Sequence, residues 1–166
     1  MKEINIIVYS FIIAGIVFLL SSKAFAYQEL FEQIYNKYPP RNKNFLTLSY
    51  LRFLIAKESG WRNVRGKTGD LGLFQFTIIA WEDVINHYPE LSVYSDFEKY
   101  ALEPEINLRF GILYSDIIVN YLKNLSYPVN NINFKITWNR GIGYFRDWYR
   151  RGAKLQELPY ATRRLF

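Results

Sequence analysis

Hydrophobic residues recur along this chain at three- and four-residue steps between short polar breaks, which predicts helices joined by loops. Leu48, Leu51, Leu54 and Ile55 mark one apolar face of a helix over Phe45 to Glu58. Ile106, Phe110, Leu113, Ile117 and Tyr121 form the longest stripe, running to Leu125, and predict a buried central helix. Glu103-Pro104-Glu105 starts it, with acid in the first turn and proline near the first helical position. Shorter helices are expected over Gln28–Tyr38, stopped by Pro39-Pro40, and over Thr77–Tyr88, with Thr77 as N-cap and Pro89 past its end. Ile132–Trp138 reads as another, ended by Asn139-Arg140-Gly141-Ile142-Gly143, with further helices over Tyr144–Arg151 and Leu158–Phe166. Trp61 to Asp70 reads as loop. Period-two alternation nowhere exceeds three or four residues, and no repeat is visible. The fold class is all-α.

Composition narrows the chemistry. The 166 residues suit one domain; half are hydrophobic and 19% aromatic, so a packed core is expected and disorder is not. With no cysteine there is no disulfide, thiolate metal site or cysteine nucleophile. The single His87 argues against a histidine metal cluster and against a Ser-His-Asp triad, and it reads as a helix-end residue. No cofactor and no metal site is expected. Residues 27–138 hold 12 basic and 12 acidic side chains, so the excess positive charge sits after Trp138. There, seven cations (Arg140, Arg146, Arg150, Arg151, Lys154, Arg163, Arg164) face only Asp147 and Glu157. Such a tail is a solvated face or one that attracts anionic polymers; no nucleic-acid motif accompanies it.

Met1 to Ala26 reads as an export signal: Lys2, then an uncharged run from Ile4 to Ser22, then the small-x-small sequence Ala24-Phe25-Ala26. Cleavage after Ala26 would leave a working domain of Tyr27–Phe166 in the periplasm. The 19-residue run is also long enough to be a retained inner-membrane anchor, and secretion is the further alternative. A membrane association is expected only if that segment is kept.

Glu58 is the candidate catalytic residue. It lies seven residues after Leu51, four after Leu54 and three after Ile55, so it continues the apolar face. Burial and the negative end of the helix dipole both oppose its ionisation, burial being the larger effect because the dipole contributes only about 0.3–1 kcal/mol. A carboxylic acid that stays protonated near neutral pH suits general-acid work. By itself, a helix-end carboxylate paired with a lysine is the plainer reading. Gly66-Lys67-Thr68 imitates the end of a phosphate-binding loop, but Trp61 stands where the first glycine belongs and a helix precedes it. Trp61 and Trp138 read first as core aromatics.

Three short blocks then read together: Glu58-Ser59; Gly72-Leu73-Phe74-Gln75, whose glycine is 14 residues on; and Trp138-Asn139-Arg140-Gly141. In order and spacing they resemble the E-S, G-L-M-Q and A-Y-N-x-G signatures of lytic transglycosylases of the goose-type lysozyme fold. Glu103-Pro104-Glu105-Ile106-Asn107 is similar to the acidic-Pro-x-x-Asn start of that family's long helix. Leu158 to Leu165 resembles its closing P-x-E-T-R-x-Y stretch, with Leu165 at the tyrosine position. The resemblance spans roughly Asn44 to Phe166.

The resemblance implies cleavage of the N-acetylmuramic acid–β-1,4–N-acetylglucosamine bond of peptidoglycan by one carboxyl group, Glu58, leaving 1,6-anhydro ends. It implies that Ser59 and Gln75 support Glu58 or the bound sugar, and that Asn139 lines the groove. Gly72 would let the backbone approach substrate, and Leu73, Trp138 and Tyr160 would complete the binding surface. Asp70 is read as a loop or cap residue, not a nucleophile. Muramidase-type hydrolysis is the variant chemistry. A non-catalytic, lysozyme-fold peptidoglycan-binding protein is the alternative, with Leu165 as its clue. The expected partners are peptidoglycan glycan strands, and a cell-envelope secretion or conjugation apparatus.

Overall fold

The computed structural model describes residues 21–163, whose order is α1 (21–37), α2 (Leu48–Glu58), β1 (Val64–Arg65), β2 (Leu71–Gly72), α3 (Ile78–His87), a 3₁₀ turn (Pro89–Tyr94), α4 (Phe97–Tyr100), α5 (Pro104–Asn124), α6 (Asn131–Arg150), a second 3₁₀ turn (Leu155–Glu157) and α7 (Tyr160–Arg163). Helix starts follow their capping residues. The Thr47 hydroxyl accepts from Tyr50 N, Thr77 from Ala80 N, and Asn130 Oδ1 from Asn133 N, each satisfying an otherwise orphaned amide. Pro104 opens α5 at a position where its missing N–H costs nothing.

Helix α5 is the axis. It is buried from Asn107 to Leu122 on most of its circumference and packs against α3 and α6. The surrounding core is strongly aromatic: Trp81 of α3 lies flat on Phe110, with centroids 3.9 Å apart, and Phe76 meets Trp81 edge-on. On the other side, the α1–α2 connector is anchored to α5 by the buried Asp116. Its carboxylate accepts from Arg41 N (2.7 Å), Asn42 N (3.0 Å) and Asn42 Nδ2 (2.8 Å).

The expected helices are present, with differences in their bounds and an added hairpin. Helix α2 begins at Leu48, because Thr47 caps it and 41–46 are turns. The helices expected over Ile132–Trp138 and Tyr144–Arg151 are both present, as two segments within Asn131–Arg150. The expected break between them is there, at Gly141 within 139–143, whose φ of 78° and ψ of 161° are non-helical and part the two segments. The stretch Trp61–Asp70, read as loop, contributes a strand to a small antiparallel hairpin, pairing Val64 with Gly72 and Arg65 with Leu71. Two-residue strands are too short to show an alternating pattern. The closing helix covers Tyr160–Arg163; Leu165 lies outside the described residues. Most of the expected export signal also lies outside them, and residues 21–26 belong to α1. No helix among the described residues is long and apolar enough to cross a membrane.

Candidate functional site

Helix α2 delivers Glu58 as its last residue, behind the buried Leu51, Leu54 and Ile55. The residue is partly buried, and its Oε1 is fully so. Gly60, at φ 60°, ends the helix in the left-handed conformation that glycine adopts cheaply. Ser59 turns inward: its N–H bonds Ile55 O and its buried hydroxyl donates to the same carbonyl at 3.3 Å. The Arg62 guanidinium donates to Ser59 O, covering another carbonyl of the helix end. Ser59 therefore fixes how the chain leaves Glu58.

The second block is a turn closed by reciprocal bonds between Leu71 and Phe76, both 2.9 Å. Gly72 (φ 79°) and Gln75 (φ 50°) both sit in the left-handed region. At Gly72 the backbone lies close against the protein itself on its inner side. A Cβ there would stand 2.1 Å from Asn107 Nδ2 and 2.3 Å from Ala101 O. Leu73 and Phe74 are fully buried, so Gly72 and Leu73 shape the site from behind. The Gln75 side-chain amide donates to Gly72 O (2.6 Å) and Val64 O (3.0 Å), tying the turn to strand β1. The Gly66-Lys67-Thr68 segment forms the hairpin turn between β1 and β2. Asp70 accepts the Thr68 hydroxyl there, as a loop residue does.

Asn107 is the residue whose role sequence reasoning missed, although its block was noticed. Buried in the first turns of α5, it accepts from Phe74 N at 2.9 Å and donates to Leu71 O (3.2 Å) and Ala101 O (2.8 Å). One carboxamide thus holds the Gly72–Gln75 turn to α5. Its signal in the sequence was an amide on the apolar face of the central helix, three residues before Phe110 and four before Gly111. Buried polar groups are kept only where they are satisfied. Gly111 is the matching notch: a Cβ there would lie 2.1 Å from the Phe74 ring.

The third block lies on α6 just before the Gly141 kink. Asn139 is exposed, and its Oδ1 accepts the hydroxyl of the buried Thr162 at 2.5 Å. Helix α7 thereby aims Asn139. Tyr160, two residues earlier, is 76% exposed. Trp138 is partly buried against Phe74, Phe76, Tyr114 and Phe134, with centroids 5.2–6.2 Å apart. Trp61 packs on Phe31, and Phe31 on Phe74. An aromatic chain, Trp61–Phe31–Phe74–Trp138, therefore joins the three blocks from below. Trp61 is a core residue, and Trp138 packs against the core while staying partly exposed.

Electrostatics near the site are mixed. Lys57, beside Glu58, and Lys135, one turn before Asn139, both place their ammonium groups over the Phe53 ring. Burial first, and then the Lys57 charge, lower the Lys135 pKa below that of an ordinary lysine. Burial raises the phenol pKa values of Tyr50 and Tyr114 well above the ordinary value.

A mostly helical frame with few and short strands, built around one buried central helix, is the lysozyme-like one. The chain belongs to the transglycosylase SLT domain family, which residues 40–160 match. With that membership come lytic transglycosylase activity and a peptidoglycan substrate. No curated protein and no solved structure matches the chain.

Proposed function

We propose that the protein cleaves the N-acetylmuramic acid–β-1,4–N-acetylglucosamine bond with Glu58 as the only acid/base, leaving 1,6-anhydro-muramyl ends. The observation that carries this reading is a carboxyl group at the end of an apolar helix with one oxygen buried. Removal from water favours the protonated acid. Glu58 gives its proton to the glycosidic oxygen as the C1–O4 bond breaks. The carboxylate left behind faces a cationic sugar C1. It then takes the proton of the muramyl C6 hydroxyl as O6 bonds to C1. The proton returns to Glu58, and no water is consumed. Positioned proton transfer of this kind is worth about 10²–10⁴-fold in rate. Asp70, engaged with Thr68, is left out of the chemistry.

Ser59, Gly72 and Gln75 set the backbone around the acid, and Asn139 presents its amide to the glycan. The N-terminal segment directs the protein to the periplasm. A place beside an envelope-spanning secretion or conjugation apparatus is consistent with a small domain of this kind.

Mass spectrometry of purified peptidoglycan after incubation tests the proposal. Anhydro-muropeptides are expected, and Glu58→Gln should abolish them while leaving the circular dichroism unchanged. Ordinary reducing ends would instead mean hydrolysis. Intact glycan retained by a folded protein would mean binding without cleavage, the reading that Leu165 at the family's tyrosine position favours.

A further inference from the structure

We propose that the cavity between the α1–α2 connector and the C-terminal half of α5 is a second binding site, one that takes a short carboxylate-rich peptide such as the stem carried by peptidoglycan. The choice of peptide rests on the function proposed above; the site itself rests on geometry. The cavity is about 480 Å³, within the range of small-ligand sites. Arg41, Lys43 and Lys123 line it over an apolar floor of Phe45, Val119 and Val129. Among the described residues lining it there is no carboxylate.

This cluster is not an extension of the basic tail, because residues 27–138 are neutral as a whole. Asp116, behind the connector, is buried, and its oxygens are occupied by the Arg41 and Asn42 amides. Asn42 is a hub between the two. Its Nδ2 also donates to Asn120 Oδ1 at 3.1 Å, and its Oδ1 accepts from Lys123 Nζ at 2.5 Å. The buried carboxylate thus pins a connector that would otherwise be a flexible loop, and the cations are presented on it. A pre-ordered site loses little entropy on binding.

The three charges suit a ligand with several carboxylates, one of which Arg41 can engage bidentately. The floor suits methyl and methylene groups. A stem peptide supplies both. Val119 and Lys123 follow Asn107 by 12 and 16 residues on one helix, so the cavity lies about 20 Å along α5 from the Gly72–Gln75 turn. The site would hold a glycan strand by its peptide while the sugars occupy the groove.

The test is titration of the full chain with free L-Ala-γ-D-Glu-meso-diaminopimelate-D-Ala, followed by amide NMR shifts and calorimetry. Saturable binding is expected, with shifts at residues 41–46 and 119–123 and weakening at high salt. The combined Arg41→Gln, Lys43→Gln, Lys123→Gln variant should lose about tenfold or more in affinity. Lys43→Gln alone, which touches none of the hydrogen bonds above, should lose less in the same direction. Absence of saturable binding, an unchanged affinity in the combined variant, or shifts confined to Glu58, Gln75 and Asn139 would overturn the proposal. Equal binding of inorganic phosphate would overturn the peptide assignment. Cleavage of peptide-free glycan strands is scored in parallel. It depends on Glu58 and not on these cations, so failure of the enzyme reading and failure of the peptide site are separate results.

Discussion

Replacing Asn107 by alanine removes three hydrogen bonds at once: from Phe74 N, and to Leu71 O and Ala101 O. Each is buried, and a net contribution of about 1 kcal/mol per bond gives roughly 3 kcal/mol. Water entering the vacated space recovers part of that, while any partner left unsatisfied in the buried turn costs more, so the expected loss is about 2–4 kcal/mol. For a domain of this size that corresponds to a fall in melting temperature of roughly 5–15 °C. Denaturant unfolding followed by tryptophan fluorescence measures it, with an unchanged m-value showing that the folded and unfolded ends are the same states. Well below the new midpoint, glycan cleavage should still fall by about tenfold or more, since the Gly72–Gln75 turn no longer has one position. Asn107→Asp discriminates further. It keeps the acceptor for Phe74 N but turns an oxygen toward two carbonyls, so it should not rescue either property. A stability change below about 0.5 kcal/mol, or wild-type cleavage by the folded variant, refutes the clamp.

Gly111→Ala should destabilise by about 1–3 kcal/mol despite alanine's better helix propensity, because the new methyl overlaps the Phe74 ring; thermal melting decides the sign. Thr162→Val should cost about 1 kcal/mol or less in stability yet reduce cleavage severalfold, by releasing Asn139; rates measured at full folding separate the two. Tyr50→Phe should be neutral or stabilising, because the Tyr50 hydroxyl is buried with no hydrogen-bond partner among the described residues; equilibrium unfolding shows this directly. Stability should fall as pH rises above about 10, the unfolded tyrosine value. Burial raises the folded pKa values of Tyr50 and Tyr114, so the unfolded chain loses those protons first. The decline should be shallower in Tyr114→Phe, as read by urea midpoints across pH 8–11.

What the sequence determined by itself was local. Hydrophobic spacing located α2, α3 and α5, and Thr77 and Pro104 marked helix starts, because caps and period-3.6 stripes are written in neighbouring residues. Three short blocks likewise pointed to Glu58, the Gly72 turn and Asn139 as a candidate site. Tertiary structure decided what those residues touch. Gly72 is glycine because of an amide 35 positions away, and Asn139 is aimed by Thr162, 23 positions away. The hairpin exists because strand β1 finds β2 and Gln75 pins both, a pairing that two-residue strands cannot advertise. Asp116 gathers the Arg41 connector in the same way, from more than 70 residues along the chain. Such contacts depend on the path of the backbone through space, and hydrophobic periodicity carries no information about which polar groups that path will bring within 3 Å of one another.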